Sequence, residues 1–477
     1  MTAKHIEKVR VRFAPSPTGH WHVGGVRTTL FNWLFARKQG GVFILRIEDT
    51  DAERSKKEYE AEILEMLAWL GLDYDEGPGK GNLGPYRQSE RTALYEKYLA
   101  KLLEEHRAYY CYCSKEELEA ERQALLAQGM PAKYGGHCRN LKNPPAGKKP
   151  EVIRFKTPEV EIEFKDLIRG KVKFDAALFG DFVIAKDVHS PLYNFAVVVD
   201  DHEMQISHVI RGEEHLSNTP KQILMQKAMG LAEPIYGHLP LILDGERKKL
   251  SKRYAETSLL EYRERGFLPG AILNFLALLG WHPSHDKEVF TLKELIQEFD
   301  LSRVQKAGAV FNEKKLLWLN REHLRKLSEE EIAKFLDPFL KKKNLTPNSE
   351  MLRGLIRLER DRIRTFSEFS ESAGLFFSLP DYPSSLLNWK DSPKEETKQM
   401  ISSLKECFAP LTEKKFTREG IMAALRNLIE TKGKGNVLWP LRAALSGQMA
   451  SPDPLDIASI LGKTETLRRL EIALKKI

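Results

Sequence analysis

A chain of 477 residues with 42% hydrophobic and 30% charged side chains has the composition of a water-soluble globular protein and the length for several domains with cores of their own. No apolar run approaches the roughly 18 residues that span a bilayer, and the opening segment Met1–Lys8 has neither a signal-like apolar core nor an Arg/Ser bias, so a cytoplasmic protein is expected. Net charge is +8, and from Glu331 to the end 25 Lys/Arg stand against 19 Asp/Glu. That surplus fits a polyanionic partner, whose counterions basic side chains release, and fits a plain basic surface equally well.

The β-branched alternation of Val9 to Ala14 predicts a strand, the Pro/Gly-rich Pro15 to Gly25 a loop, and the spacing of Leu30, Trp33 and Leu34 a helix over Val26 to Lys38. Val42-Phe-Ile-Leu-Arg-Ile47 reads as a second, buried strand; a helical connection between two strands makes them parallel, so a doubly wound α/β domain is expected. From about Tyr86 to Tyr193 an amphipathic helix (Arg91 to Glu105), a Cys-rich stretch and the alternating runs Val152 to Lys156 and Val160 to Phe164 suggest an α+β insertion. The sheet is expected to resume at Phe195-Ala-Val-Val-Val-Asp-Asp201. From about Leu259 the pattern is almost all helical, with a turn-rich break at Ser378 to Ser385.

A strand, a glycine-containing loop and a helix start aim backbone N–H groups and the positive end of the helix dipole at one spot, where a phosphate can sit. His20 and His22 flank that spot. Such loops are often only tight turns, but Asp244-Gly-Glu-Arg-Lys-Lys-Leu-Ser-Lys-Arg253 adds Lys248, Lys249, Lys252 and Arg253 within six positions. Together they point to a polyphosphate.

His22-Val-Gly-Gly25 and Lys249-Leu-Ser-Lys-Arg253 resemble the HIGH and KMSKS signatures of class I aminoacyl-tRNA synthetases. Arg12-Phe-Ala-Pro-Ser-Pro-Thr-Gly19, Arg46-Ile-Glu-Asp-Thr-Asp51, Tyr193 to Asp201, Val209-Ile-Arg-Gly-Glu-Glu214 and Trp439 to Gly447 are similar to the glutamyl branch of that family. In that branch glycine commonly replaces the last histidine of the first signature, as Gly25 does here.

The resemblance implies a Rossmann-type catalytic domain, and ATP-dependent ligation of L-glutamate to tRNA(Glu) through glutamyl-adenylate. ATP with Mg²⁺ would be bound by His22, Gly24, Gly25, Glu214, Ile242, Lys249 and Lys252; His22, Lys249 and Lys252 would carry the catalytic charge. Glutamate needs cations for its carboxylates and an anion for its ammonium. Arg12, Arg211 and Glu48 supply these, and the resemblance adds Ser16 and Tyr193. Arg46 reads as a structural ion-pair partner. A glutaminyl enzyme is the nearest alternative, disfavoured by the helical C-terminal region. An inactive RNA-binding relative stands equally far off, whereas an enzyme that charges tRNA(Gln) as well as tRNA(Glu) is an alternative the sequence leaves open. A monomer is expected.

Cys111, Cys113 and Cys138 have spacing suited to zinc. The position where zinc-bearing relatives carry a fourth ligand is Asn140, with His137 as an adjacent substitute, so metal-free buried thiols are the favoured reading and no metal ligand is assigned. Arg353, Arg357, Arg360 and Arg364 recur at helical spacing. Read as one stripe, they suggest tRNA contacts by Arg357, Arg360 and Arg364, against a plain solvated face. The organisation expected is a catalytic domain in two halves, 1–85 and 194–243, split by an acceptor-stem-binding insertion, 86–193; a KMSKS and stem-contact region, 244–330; and two anticodon-binding helical subdomains, 331–379 and 380–477.

Overall fold

The structure is a computed structural model that describes residues 8–51, 53–130, 133–250 and 258–477. Its contacts gather into two units, residues 1–263 with 269–316 and residues 264–268 with 317–477. Lys252 and Arg253 lie outside the described residues.

In the first unit β1 (Arg10–Phe13) and β2 (Val42–Leu45) pair in parallel, Arg10 opposite Val42 and Phe13 opposite Leu45, with α1 (Val23–Lys38) as the crossover. Every residue of β2 is buried, as a strand covered on both faces requires. After α2 (Lys57–Leu70) comes the inserted segment, which opens with α3 (Thr92–Glu104). It contains an antiparallel sheet of β3 (Ala108–Cys111), β4 (Val152–Phe155) and a later strand, helix α4 (Lys115–Ala127), and a hairpin of β5 (Glu161–Asp166) with β6 (Gly170–Asp175). The later strand, β7 (Val183–Ala185), completes the order β3-β4-β7.

Phe195–Asp201 is not a strand. It lies inside helix α5 (Tyr193–Glu203), and every residue from Phe195 to Asp201 is buried. A segment covered on all sides has no polar face, so its apolar run carries no period from which helix and strand could be told apart; the three consecutive valines favoured the strand reading and tertiary packing overrode them. The parallel pairing that follows is instead β8 (His208–Gly212) with β9 (Ile235–Leu239), crossed over by α6 (Thr219–Met229). This second strand–helix–strand unit meets the first where the Ser207 N–H donates to the Arg10 carbonyl (3.0 Å) and the Arg10 N–H to the Ser207 hydroxyl (2.8 Å). A last parallel pair, β10 (Ile242–Leu243) with β11 (Ala309–Val310), completes a doubly wound α/β arrangement.

The second unit has no strand among its described residues. Its helices include Glu329–Lys342, opened by a Ser328/Glu331 capping box, then Ser349–Glu359, Lys394–Phe408, Arg418–Lys432 and Pro454–Lys476. Residues Ser378 to Pro383 hold no helix. The arginine run is not one helical stripe. The helix ends at Glu359, with Arg360 as its cap residue and Arg364 beyond it, so only Arg353 and Arg357 share the helical face. None of the helices described is long and apolar enough to cross a membrane.

Candidate active site

The loop after β1 ends at His22 and α1 begins at Val23, three residues before the expected start at Val26. His22 is the helix N-cap: its Nδ1 accepts from the Gly25 N–H at 3.4 Å, so Gly24 and Gly25 belong to the first helical turn rather than to the loop. Gly25 is glycine for a steric reason, since a Cβ there would lie 2.7 Å from the Trp21 indole nitrogen. A histidine could not pack against Trp21 in this way, which accounts locally for the departure from the superfamily signature.

Lys249 arrives from the other motif. The Asp244 carboxylate accepts from the N–H groups of Glu246 (2.9 Å) and Lys248 (3.0 Å), closing a turn with Arg247 in the left-handed region (φ 61°). Lys249 then returns beside Leu243, and the Leu250 N–H donates to the Ile242 carbonyl at 2.9 Å. Lys248 is taken by Glu246 at 2.8 Å.

These elements surround one cavity of about 600 Å³. Its lining includes His22, Gly24, Gly25, Glu214, Ile242 and Lys249, together with Arg12, Ser16, Glu48, Tyr193 and Arg211. The expected nucleotide and amino-acid residues that fall within the described chain thus lie around a single space. The His22 ring is open to the cavity but crowded by protein; that loss of solvent lowers its pKa, Glu214 opposes the shift and Lys249 adds to it. His22 is therefore a neutral hydrogen-bonding group at neutral pH.

Behind the cavity stands a buried charge network. Arg12 donates to Asp201 through Nε (3.1 Å) and Nη2 (3.4 Å), and Arg46 reaches Asp201 at 2.7 Å and Glu48 at 3.0 Å. Arg46 is wholly buried, in keeping with a structural cation. Burial pushes the Asp201 carboxyl up, but Arg12 and Arg46 more than compensate and hold it below the ordinary carboxylate range. For Glu48 burial wins and the carboxyl is raised against the pull of Arg46 and Arg12. A cation entering beside it would therefore be welcome. Arg211 donates from Nη2 to the Thr219 hydroxyl and to Gln222, both at 2.8 Å.

The lining also includes residues that sequence reasoning did not assign, among them Arg27, His215 and Asn218. Arg27 is buried on α1 and donates to the carbonyls of Leu279 (3.2 Å) and Pro240. His215 meets the Tyr193 hydroxyl at 3.2 Å, and burial together with Arg211 lowers its pKa to about 4. Its position directly after Glu214 was the available signal.

In the inserted segment the Sγ atoms of Cys111, Cys113 and Cys138 lie within 4.8 Å of one another. The Tyr134 hydroxyl is 3.5 Å from Cys111 and 3.6 Å from Cys113, and it accepts from the Cys138 N–H at 2.8 Å. His137 is turned to Glu121 at 3.0 Å. One oxygen thus lies beside the three sulfurs, on a residue four positions before Cys138 rather than two after it. In the helical unit, Arg357 pairs with Glu329 (2.7 Å), Arg360 donates to the carbonyls of Arg325 (2.8 Å) and Leu327 (3.1 Å), and Arg364 pairs with Glu368 (2.7 Å).

Residues 8–318 match the model of the catalytic domain of class I tRNA synthetases (E and Q), and residues 324–474 match an anticodon-binding domain. The glutamate–tRNA ligase of Moorella thermoacetica is 45% identical over 99% of both chains, and that of Thermodesulfovibrio yellowstonii 46% identical over 97% of this chain and 98% of the relative. Among solved structures, a glutamate tRNA ligase from Elizabethkingia meningosepticum, in complex with its amino acid, superposes with a TM-score of 0.88 at 37% identity, covering 98% of this chain and 99% of the other. A catalytic-domain match over more than half the chain, and relatives this similar along its whole length, place the chain in the class I tRNA synthetases of the E and Q family.

Proposed function

We propose that the chain joins L-glutamate to the 3′ end of tRNA(Glu) in two ATP-dependent steps through glutamyl-adenylate, as a cytoplasmic monomer. The observation that carries this reading is a single cavity lined by the groups each substrate needs: His22, Lys249 and the first turn of α1 for phosphates, Arg12, Arg211 and Glu48 for a zwitterion with a second carboxylate. The full-length similarity to glutamate–tRNA ligases supports it.

In the first step an oxygen of the glutamate α-carboxylate attacks the α-phosphorus of ATP and pyrophosphate leaves. In the second a hydroxyl of the terminal tRNA ribose attacks the acyl carbon, AMP leaves and the hydroxyl proton is lost. Neither step needs a protein nucleophile. The chain supplies alignment and positive charge: the Gly24 and Gly25 region and Lys249 face a phosphorus gathering negative oxygens, with Lys252 in the same motif. Neutral His22 donates or accepts a hydrogen bond there without adding charge. Glu214 and Ile242 would border the adenosine. The Asp51 carboxylate, which lines the same cavity, would help hold a Mg²⁺ ion, whose chemistry there would be to draw charge from the triphosphate oxygens. Arg12 and Arg211 would hold the carboxylates, Glu48 the ammonium, and Ser16 and Tyr193 the remaining polar edges.

The test is ATP–pyrophosphate exchange with tRNA(Glu) present. Exchange should depend on glutamate, with glutamine inactive, and glutamine-dependent exchange would sink the assignment. Charging tRNA(Glu) and tRNA(Gln) side by side should give product on tRNA(Glu) only.

The domain roles follow the same reading: catalysis in 1–85 and 194–243, acceptor-stem binding in 86–193, stem contact in 244–330, and anticodon binding in 331–379 and 380–477. Arg357, Arg360 and Arg364 would meet tRNA by exchanging their present partners for phosphates. In the inserted segment, three thiols and a phenol oxygen within reach of one another make a donor set fit for zinc, with Tyr134 in the fourth place. Protein purified without chelators should carry one zinc per chain, lost in Cys138→Ser together with a lower unfolding temperature. Metal-free protein with an unchanged melt on zinc addition would return the cluster to plain thiols.

A further inference from the structure

We propose that Asp166 and His238 form a positioning pair that fixes Arg211 for the substrate carboxylate. This rests on the reading of Arg211 given above, and extends it to two residues that do not line the cavity.

The three side chains come from different strands, β5, β9 and β8, and all are buried: Asp166 at 1%, His238 at 0% and Arg211 at 5% exposure. Asp166 is used as an acceptor on every side. Its Oδ1 takes the N–H groups of Ile168 (2.9 Å), Arg169 (2.8 Å) and His238 (3.3 Å), and its Oδ2 lies 2.6 Å from His238 Nδ1. A carboxylate already surrounded by donors accepts once more, so the imidazole proton sits on Nδ1. Nε2 is thereby left with a lone pair. Facing it are the Thr219 hydroxyl at 3.0 Å and the Arg211 Nε–H at 3.4 Å.

The neutral form prevails over the pull of the neighbouring carboxylate. Burial disfavours the imidazolium, and the Arg211 and Arg169 charges add to that against the pull of Asp166. Tyr236 stacks on one face, with centroids 6.2 Å apart. A protonated Nε2 would turn a donor and a positive charge toward Arg211. Held as it is, His238 works with Thr219 and Gln222 to occupy Nε and Nη2 of the guanidinium. What remains is Nη1, 3.5 Å from the hydroxyl of cavity-lining Tyr193. The guanidinium plane is thus set before substrate arrives, and orienting it costs nothing at the moment of binding.

Aminoacylation of tRNA(Glu) by the full chain tests this. Arg211→Ala comes first and must raise the glutamate KM; an unchanged KM there defeats the role given to Arg211, not the pairing inferred here. His238→Phe keeps the ring and its stacking but offers no acceptor. It should raise the glutamate KM about tenfold, the scale of one hydrogen bond to a charged group, with kcat and the ATP KM within about twofold. His238→Gln, which returns an amide oxygen toward Arg211, should recover most of the loss. Equal losses in the two variants, or losses in kcat and ATP KM alongside, would mean that the ring only fills space. Asp166→Asn is the second arm should His238→Phe not fold: it removes the anion that fixes the tautomer and should raise the glutamate KM severalfold. A glutamate KM like that of the unaltered chain in Asp166→Asn overturns the proposal.

Discussion

The α/β unit and the helical unit both present clustered arginines, and they hold them in opposite ways. Arg12, Arg46 and Arg211 are buried and bound by partners that are themselves buried. Arg357 and Arg364 are exposed, each paired with a glutamate that water also reaches. A buried guanidinium is fixed because releasing any partner would strand a charge out of water. An exposed pair gains little, so a phosphate can displace the glutamate at small cost. The first arrangement suits a small ligand met in one geometry. The second suits a long polyanion met over many weak contacts.

That contrast can be broken in order of expected effect. Lys249→Ala should reduce pyrophosphate exchange by about 100-fold or more, the usual cost of losing one charge aimed at a transition state, while tRNA affinity stays within about twofold; exchange at the normal rate would remove Lys249 from the chemistry. Asp201→Asn should cost about 3 kcal/mol in denaturant unfolding, because Arg12 and Arg46 lose their shared anion, and the glutamate KM should rise with it. A variant of normal stability would show that the network behind the cavity is not held by its charges. Smallest should be the double change Arg357→Ala with Arg360→Ala. A several-fold loss of tRNA affinity and a shallower salt dependence are expected, with adenylate formation intact. If both affinity and salt slope stay put, those arginines serve the helical unit alone.

The legibility of the sequence followed the same division. The cavity could be read because its chemistry is concentrated in short runs at strand ends: Arg12 to Gly25, Arg46 to Asp51, Val209 to Glu214 and Asp244 to Leu250. Backbone geometry at a strand end projects such runs toward one another. His215 was missed although it adjoins one of these runs, since a single histidine announces no role until its neighbours in space are known. The reading of Phe195–Asp201 as strand failed because complete burial erases periodicity. The arginine spacing misled because a helix was assumed to continue past Glu359, where the chain turns instead. A further donor beside the thiols was sought at Asn140, whereas the oxygen that lies among them is the Tyr134 hydroxyl, a group whose place beside three sulfurs no spacing rule announces.

The β5–β6 turn carries a last lesson about divisibility. Asp166 reaches His238 from one end of it, and from the next residues Arg169 pairs with Glu213, whose other oxygen accepts the Leu241 N–H at 2.7 Å. The segment that interrupts the nucleotide-binding fold in the sequence is therefore a brace for it in space. Excising that segment would not leave the rest of the α/β unit intact. It would leave a cavity in which His238, the partner of Arg211, had lost the Asp166 carboxylate that holds it.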